Sequence, residues 1–220
     1  MRHLTLIRHA VTDWNLEGRV QGRCDIPLSA AGEAQAVALQ GRFAGEAVLL
    51  YSSPLSRAQK TAVLAFPGHT PILDPRLSEL DYGTFEGRTL AEREGLPEWH
   101  AWRRDPYHQA PPGGESYREL CRRVAAWFGG LPDAPHVVAV THSGTIQGLI
   151  AHLLGLTALP WRRRFYLGQT SVTRFVLDGP EPLLERLNDL SHLRPDLRAT
   201  RPAPPAARRA AEPKLEVREP

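Results

Sequence analysis

The chain has 220 residues, 42% of them hydrophobic and 23% charged, which suits one globular domain with a short appendage and excludes collagen, coiled coil and wholesale disorder. No run approaches the ~20 apolar residues of a membrane-spanning helix. The net charge of +3 comes from 27 basic and 24 acidic residues; without the stretch from Pro195 onward the balance is 21 to 20, too even for a nucleic-acid-binding face.

Leu4–Ile7 is a short apolar run that stops at Arg8-His9, the pattern of a buried strand delivering polar residues at its carboxyl end. Ser29 to Glu33 has the form of a helix start, with Ala34, Val37, Ala38 and Phe43 following at roughly helical spacing. Ala47–Tyr51 is a second apolar strand running into Ser52-Ser53-Pro54, and a helix is predicted over Ser56–Ala65. Thr70–Leu73 reads as a third, weaker strand. Leu77 to Gly114 is irregular and carries Trp99, Trp102, Tyr107 and His108. Glu115–Phe128 is an amphipathic helix with Leu120, Val124, Ala125 and Phe128 on one face. His136–Val140 is the clearest buried strand; Thr141-His142-Ser143-Gly144 follows it at once, and Thr145–Leu154 is the next helix. Ser171–Leu177 is read as the last strand, with Leu183–Leu193 a coda of mixed character. From Pro195 on, proline, alanine and arginine dominate without periodicity, the composition of a disordered tail. Six basic against four acidic residues there make a poor phosphate-neutralising arm.

Strands alternating with helices predict an α/β layered protein with a mostly parallel sheet. The two cysteines, Cys24 and Cys121, form neither a CxxC nor a zinc spacing, and the first apolar run is too short for a secretion signal; both fit a cytoplasmic protein. The histidines outside the two strand ends, among them His136 and His192, show no metal-ligand spacing.

In open α/β sheets ligands bind beyond the carboxyl ends of the strands. Three predicted strand ends carry chemistry: Arg8-His9, Ser52-Ser53 with Arg57 one turn later, and His142-Ser143-Gly144. If those strands are neighbours, two histidines and two arginines converge. Two guanidiniums suit a phosphate, and the helix after His142 offers backbone N–H groups to an anion. An imidazole at the floor of such a pocket points to phosphohistidine chemistry. That chemistry needs an acid for the leaving oxygen, for which Glu79 and Asp81 compete.

The segment from Leu4 to Ala36, LTLIRHAVTDWNLEGRVQGRCDIPLSAAGEAQA, resembles the opening signature of the histidine phosphatase superfamily, the phosphoglycerate mutase-like fold. SSPLSRAQKTA, LSELDYGTFEG, PPGGES and VTHSGTIQGL follow in the family's order, so the resemblance runs from about Leu4 to Leu193. It implies a three-layer α/β/α sandwich over residues 1–194, with a variable cap at about 88–114 and the tail at 195–220. It implies that His9 is the nucleophile, that Arg8, Arg57 and His142 bind the phosphate, and that Glu79 rather than Asp81 is the general acid. Thr12 and Asn15 would lie near the phosphate, Gln21 and Gly22 on the loop closing the pocket, and Ser143 and Gly144 at the helix start. Two positions depart from the family pattern: Ala10 stands where glycine is common and Val11 where an acidic residue is frequent.

The implied reaction is a two-step hydrolysis of a small soluble phosphate ester, with no metal or other cofactor and no macromolecular partner. The blocks from Tyr82 to Gly87 and Pro112 to Ser116 look more like the phosphatase branch, such as α-ribazole or broad-specificity phosphatases. The alternative is a cofactor-dependent phosphoglycerate mutase. Non-catalytic phospho-ligand binders on this fold usually lose the histidine or the acid, and both are present here.

Overall fold

In the computed structural model, which describes residues 1–43, 45–156 and 164–198, the first apolar run becomes strand β1 (His3–Arg8). It lies in parallel register beside β4 (His136–Thr141). β4 pairs in parallel with β2 (Leu49–Ser52), and β2 with the two-residue edge strand β3 (Ile72–Leu73). On the other side β1 pairs antiparallel with β5 (Val172–Val176), and β5 antiparallel with β6 (Leu183–Asp189). The order is β3-β2-β4-β1-β5-β6, and among the described strands β5 alone runs against the rest.

Side chains alternate across a strand, and here each face finds a helical layer. Leu4, Leu6, Val137, Ala139 and Phe175 pack with Leu120, Val124 and Trp127 of α6 (Tyr117–Gly129) and with Ile146, Leu149 and Ile150 of α7 (Ser143–Leu153). Ile7, Val138, Val140 and Val172 turn the other way, toward Leu39 and toward Ala58 and Ala62 of α3 (Ser56–Ala65), which packs against α2 (Ala30–Val37). The fold is the expected three-layer α/β/α sandwich. Two of these helices start at side-chain caps: Ser29 caps α2 through the Gly32 N–H, and Ser116 with Glu119 makes a capping box on α6.

Three regions differ from the sequence reading. Leu183–Asp189 is a strand, not a coda; at the sheet edge its residues are mostly half-buried or exposed, so no clean alternation marks it. The irregular stretch contains two short helices, α4 (Leu90–Glu94) and α5 (Pro97–Arg104). Trp99 and Trp102 of α5 are buried against Phe85, with ring centroids 5.3 and 5.9 Å away, so they serve the core, while Tyr107 is half-buried and His108 exposed. Finally, Pro195–Leu197 forms a 3-10 turn, and Gln35 Nε2 of α2 donates to the Leu197 carbonyl at 2.7 Å. The chain therefore stays on the domain past residue 194; the rest of the expected tail, from residue 199, lies outside the described residues. Among the described residues no helix is long and apolar enough to cross a membrane.

Candidate active site

The register pairs Arg8 with Thr141, so the next residues, His9 and His142, emerge side by side beyond the carboxyl ends of β1 and β4. The His9 N–H donates to the Thr141 carbonyl at 2.8 Å, and the two imidazole centroids are 5.1 Å apart. β2 arrives on the far side of β4, where the Ser53 N–H donates to the Val140 carbonyl at 3.0 Å. That places Ser53 Oγ 2.8 Å from His142 Nε2.

One backbone bond sets a tautomer. His9 Nδ1 is 2.7 Å from the Ala10 carbonyl oxygen; a carbonyl only accepts, so Nδ1 carries the proton and Nε2 keeps its lone pair. Ser53 Oγ also accepts the Leu55 N–H at 3.3 Å; a hydroxyl has one proton and two lone pairs, so it can meet His142 Nε2 in either tautomer. His142 Nδ1 is buried and has no partner among the described residues. Burial, reinforced by Arg57 and Arg8, holds His9 well below its ordinary 6.5. Burial, then Arg57 and His9, do the same to His142. Both rings are neutral at pH 7.

Arg57, in the first turn of α3, is fully buried. Its Nη1 donates to the Cys24 carbonyl at 2.8 Å and its Nη2 to the Gly22 carbonyl at 2.6 Å. Arg8 is half-buried and spends Nη1 on the Leu167 carbonyl at 2.6 Å. The Nε atoms of both arginines are buried without a partner among the described residues. Burial lowers both guanidinium pKa values from their ordinary range, and the Glu79 charge opposes this most in each case; arginine stays protonated regardless.

Glu79 sits over the start of α7. Its Oε2 accepts the Gly144 N–H at 3.0 Å and its Oε1 the Leu80 N–H at 2.9 Å. The strand-like segment carrying it is pinned by Thr141 Oγ1 to the Leu77 carbonyl and Thr145 Oγ1 to the Ser78 carbonyl, at 2.6 and 2.7 Å. Arg123 of α6 adds Nη2 to the Glu79 carbonyl at 3.0 Å. Asp81 is spent otherwise: its Oδ1 accepts the Gly83 N–H at 2.9 Å and shapes a turn.

Thr12 and Asn15 are engaged with each other, as the capping box of α1 (Asp13–Leu16). Thr12 is buried, and its N–H donates to Asn15 Oδ1 at 3.1 Å. Gln21 is buried with Oε1 unpartnered among the described residues, and Gly22 adopts φ +54°. Ser143 is half-exposed and accepts the Gln147 amide at 3.1 Å. Ala10 is fully buried and is not among the non-glycine residues with positive φ, so alanine fits there without strain. Its N–H donates to Thr61 Oγ1 at 3.0 Å. Val11 is buried, so this chain offers no acidic group at that point.

Sequence reasoning missed Thr61, Arg123 and Glu86, and placed Ser53 at a strand end carrying chemistry without giving it a role of its own. All four act by holding the backbone or side chains of others, which no local pattern reveals. No group of three or more histidine, cysteine, aspartate or glutamate residues among the described residues could hold a metal ion.

The family model described as histidine phosphatase superfamily (branch 1) matches residues 4–190. The chain belongs to the histidine phosphatase superfamily. It is 36% identical over 214 residues to a probable phosphoglycerate mutase GpmB of Enterobacter sp. (strain 638), covering 88% of this chain and 95% of that protein. Among solved structures it resembles a phosphoserine phosphatase mutant from Entamoeba histolytica in complex with phosphoserine. There the TM-score is 0.81 and the identity 30%, over 88% of this chain and all of that one. It also resembles a mycobacterial glucosyl-3-phosphoglycerate phosphatase complexed with VO3, with a TM-score of 0.74 and 34% identity over 86% of this chain and 99% of that one. Family and neighbours together support a phosphoric monoester hydrolase.

Proposed function

We propose that this histidine phosphatase hydrolyses a small phosphate monoester through a phosphohistidine on His9, without a metal ion. The observation that carries the reading is the His9 Nδ1 bond to the Ala10 carbonyl, which leaves a neutral, unprotonated Nε2 in the field of the Arg57 and Arg8 guanidiniums. In the first step Nε2 attacks phosphorus, the ester P–O bond breaks, and Glu79 gives its proton to the departing oxygen. In the second, water attacks the phosphohistidine, the P–N bond breaks, Glu79 takes the water proton, and inorganic phosphate leaves. Arg8, Arg57 and His142 carry the charge of the phosphoryl oxygens, which is most of what phosphoryl transfer asks of a protein.

The names of the similar solved structures favour a small metabolite as substrate: phosphoserine, 3-phosphoglyceric acid and glucosyl-3-phosphoglycerate. The curated relatives named phosphoglycerate mutase favour a second reading, in which the phosphoryl group returns to the organic acid instead of passing to water. Incubation with EDTA and either p-nitrophenyl phosphate or 3-phosphoglycerate, beside His9→Ala, separates the two. Release of phosphate that disappears in His9→Ala is the expected result. Isomerisation to 2-phosphoglycerate without phosphate release would replace the hydrolase by the mutase.

A further inference from the structure

Glu86 stands outside the reaction as described, yet its carboxylate accepts three backbone N–H groups next to the site. Oε1 accepts the N–H groups of Arg23 at 2.8 Å and of Tyr82 at 3.0 Å. Oε2 accepts the Cys24 N–H at 2.6 Å. The donors come from two segments: the loop after Gln21, and the stretch that leaves Glu79. A carboxylate that collects several backbone N–H groups fixes all of them, because charged acceptors make the stronger hydrogen bonds.

The loop it holds matters because of Arg57. Both carbonyls that receive the Arg57 fork, those of Gly22 and Cys24, flank the Arg23 peptide that Glu86 anchors. The loop has no regular secondary structure, so the placement of the fork depends on this anchor together with Asp25 Oδ1, which accepts the Ser56 N–H and hydroxyl at 2.7 and 2.8 Å. Gly22 is shaped for it twice over. Its φ of +54° lies in the left-handed region, and a Cβ there would stand 1.9 Å from Glu86 Oε1. The carboxylate is itself held from behind: Phe85 is fully buried against Trp99 and Trp102, and the Gly87 N–H donates to the Val20 carbonyl at 2.8 Å.

We infer that Glu86 is a positioning residue for phosphoryl transfer: it sets the Gly22 and Cys24 carbonyls that aim the Arg57 guanidinium at the phosphate, and ties that arm to the one carrying Glu79. The inference rests on the reading of Arg57 as a phosphate ligand.

The test is a double-mutant cycle of Glu86→Gln with Arg57→Lys, using kcat and KM for p-nitrophenyl phosphate, the inhibition constant of orthovanadate and the melting temperature. The amide turns one acceptor into a donor facing backbone N–H groups, and lysine lacks the fork that meets both carbonyls. Glu86→Gln should lower kcat/KM by roughly 10- to 100-fold, the scale of a small misplacement in an active site, and weaken orthovanadate about tenfold. In the Arg57→Lys background the same change should cost no more than about threefold, since coupled residues are not additive. Equal losses in both backgrounds, or an orthovanadate constant that Glu86→Gln leaves unmoved, would overturn the role. If Glu86→Gln does not fold, Glu86→Asp and Gly22→Ala disturb the same junction and are read by the same constants. Wild-type protein that releases phosphate independently of His9 and ignores orthovanadate would instead overturn the phosphatase reading itself.

Discussion

The Glu79 carboxylate rests on the backbone N–H of Gly144, 3.0 Å from Oε2, at the first turn of α7. This puts the proposed acid–base group on the positive end of a helix that begins where β4 delivers His142. The same closeness explains the glycine. A Cβ at position 144 would lie 2.4 Å from Glu79 Oε1, so a side chain there must push the carboxylate aside. Gly144→Ala is therefore expected to lower kcat/KM by roughly 10- to 100-fold. Its melting temperature should change little, because the carboxylate that must move gives up its bonds from the Gly144 and Leu80 N–H groups, while alanine favours a helix over glycine by at most about 1 kcal/mol. Steady-state kinetics beside a thermal melt checks both halves; full activity would mean that Glu79 does not work from this position.

Ser53 holds the His142 ring. Its hydroxyl lies 2.8 Å from Nε2 and accepts the Leu55 N–H, and we expect it to donate to Nε2, which places the imidazole proton on Nδ1. Ser53→Ala removes that constraint and leaves a fully buried ring free to choose the wrong tautomer. We expect a loss of about tenfold in kcat/KM, comparable to about 1.4 kcal/mol of barrier, and a changed Nδ1/Nε2 pattern in 15N-imidazole NMR. An unaltered tautomer ratio would show that something other than Ser53 sets it.

The strand ends that build this site are legible because apolar runs stop abruptly at Arg8-His9 and at Thr141-His142, and the sheet register then does the assembly. What is not legible is the support. Glu86 reads as a solvated acid in a turn, and only the folded loop shows three N–H groups converging on it. Arg123 reads as the polar face of a helix until the Glu79 segment is seen lying on it. Trp99 and Trp102 read equally as core or as substrate contacts, and the choice is made by Phe85, which comes from a different segment. Thr12 and Asn15, which the resemblance places near the phosphate, bond each other in the cap of α1, an engagement their sequence positions do not show.

Thr61 bonds the loop after His9 to α3. Its Oγ1 donates to the Arg57 carbonyl at 2.6 Å and accepts the Ala10 N–H at 3.0 Å, and it is fully buried. Thr61→Val keeps the shape and removes both bonds, stranding the Ala10 N–H. The expected destabilisation is about 1–3 kcal/mol, the cost of an unsatisfied buried donor, measured by urea unfolding. A change within about 0.5 kcal/mol of wild type would show that the loop relaxes to satisfy the Ala10 N–H elsewhere.

Stability should fall as the solution is acidified below about pH 6.5. His9 and His142 are held well below 6.5 by burial first and by the neighbouring arginines second. His192, half-buried beside Thr170, is lowered to about 4 by burial and by Arg42. Each folded-state value lies below the unfolded one, so between the two the unfolded chain binds a proton that the native protein refuses. Stability is then fully present above the unfolded value and is lost as pH falls toward the folded one, by at most about 1.4 kcal/mol per pH unit for each fully buried ring. Unfolding midpoints at pH 7.5, 6 and 5 should drop in that order. His192→Asn should flatten the slope between about pH 6.5 and 4, and His9→Ala should flatten it further at the site itself. A variant slope equal to that of wild type would mean that the replaced histidine takes up its proton in the native fold as readily as in the unfolded chain.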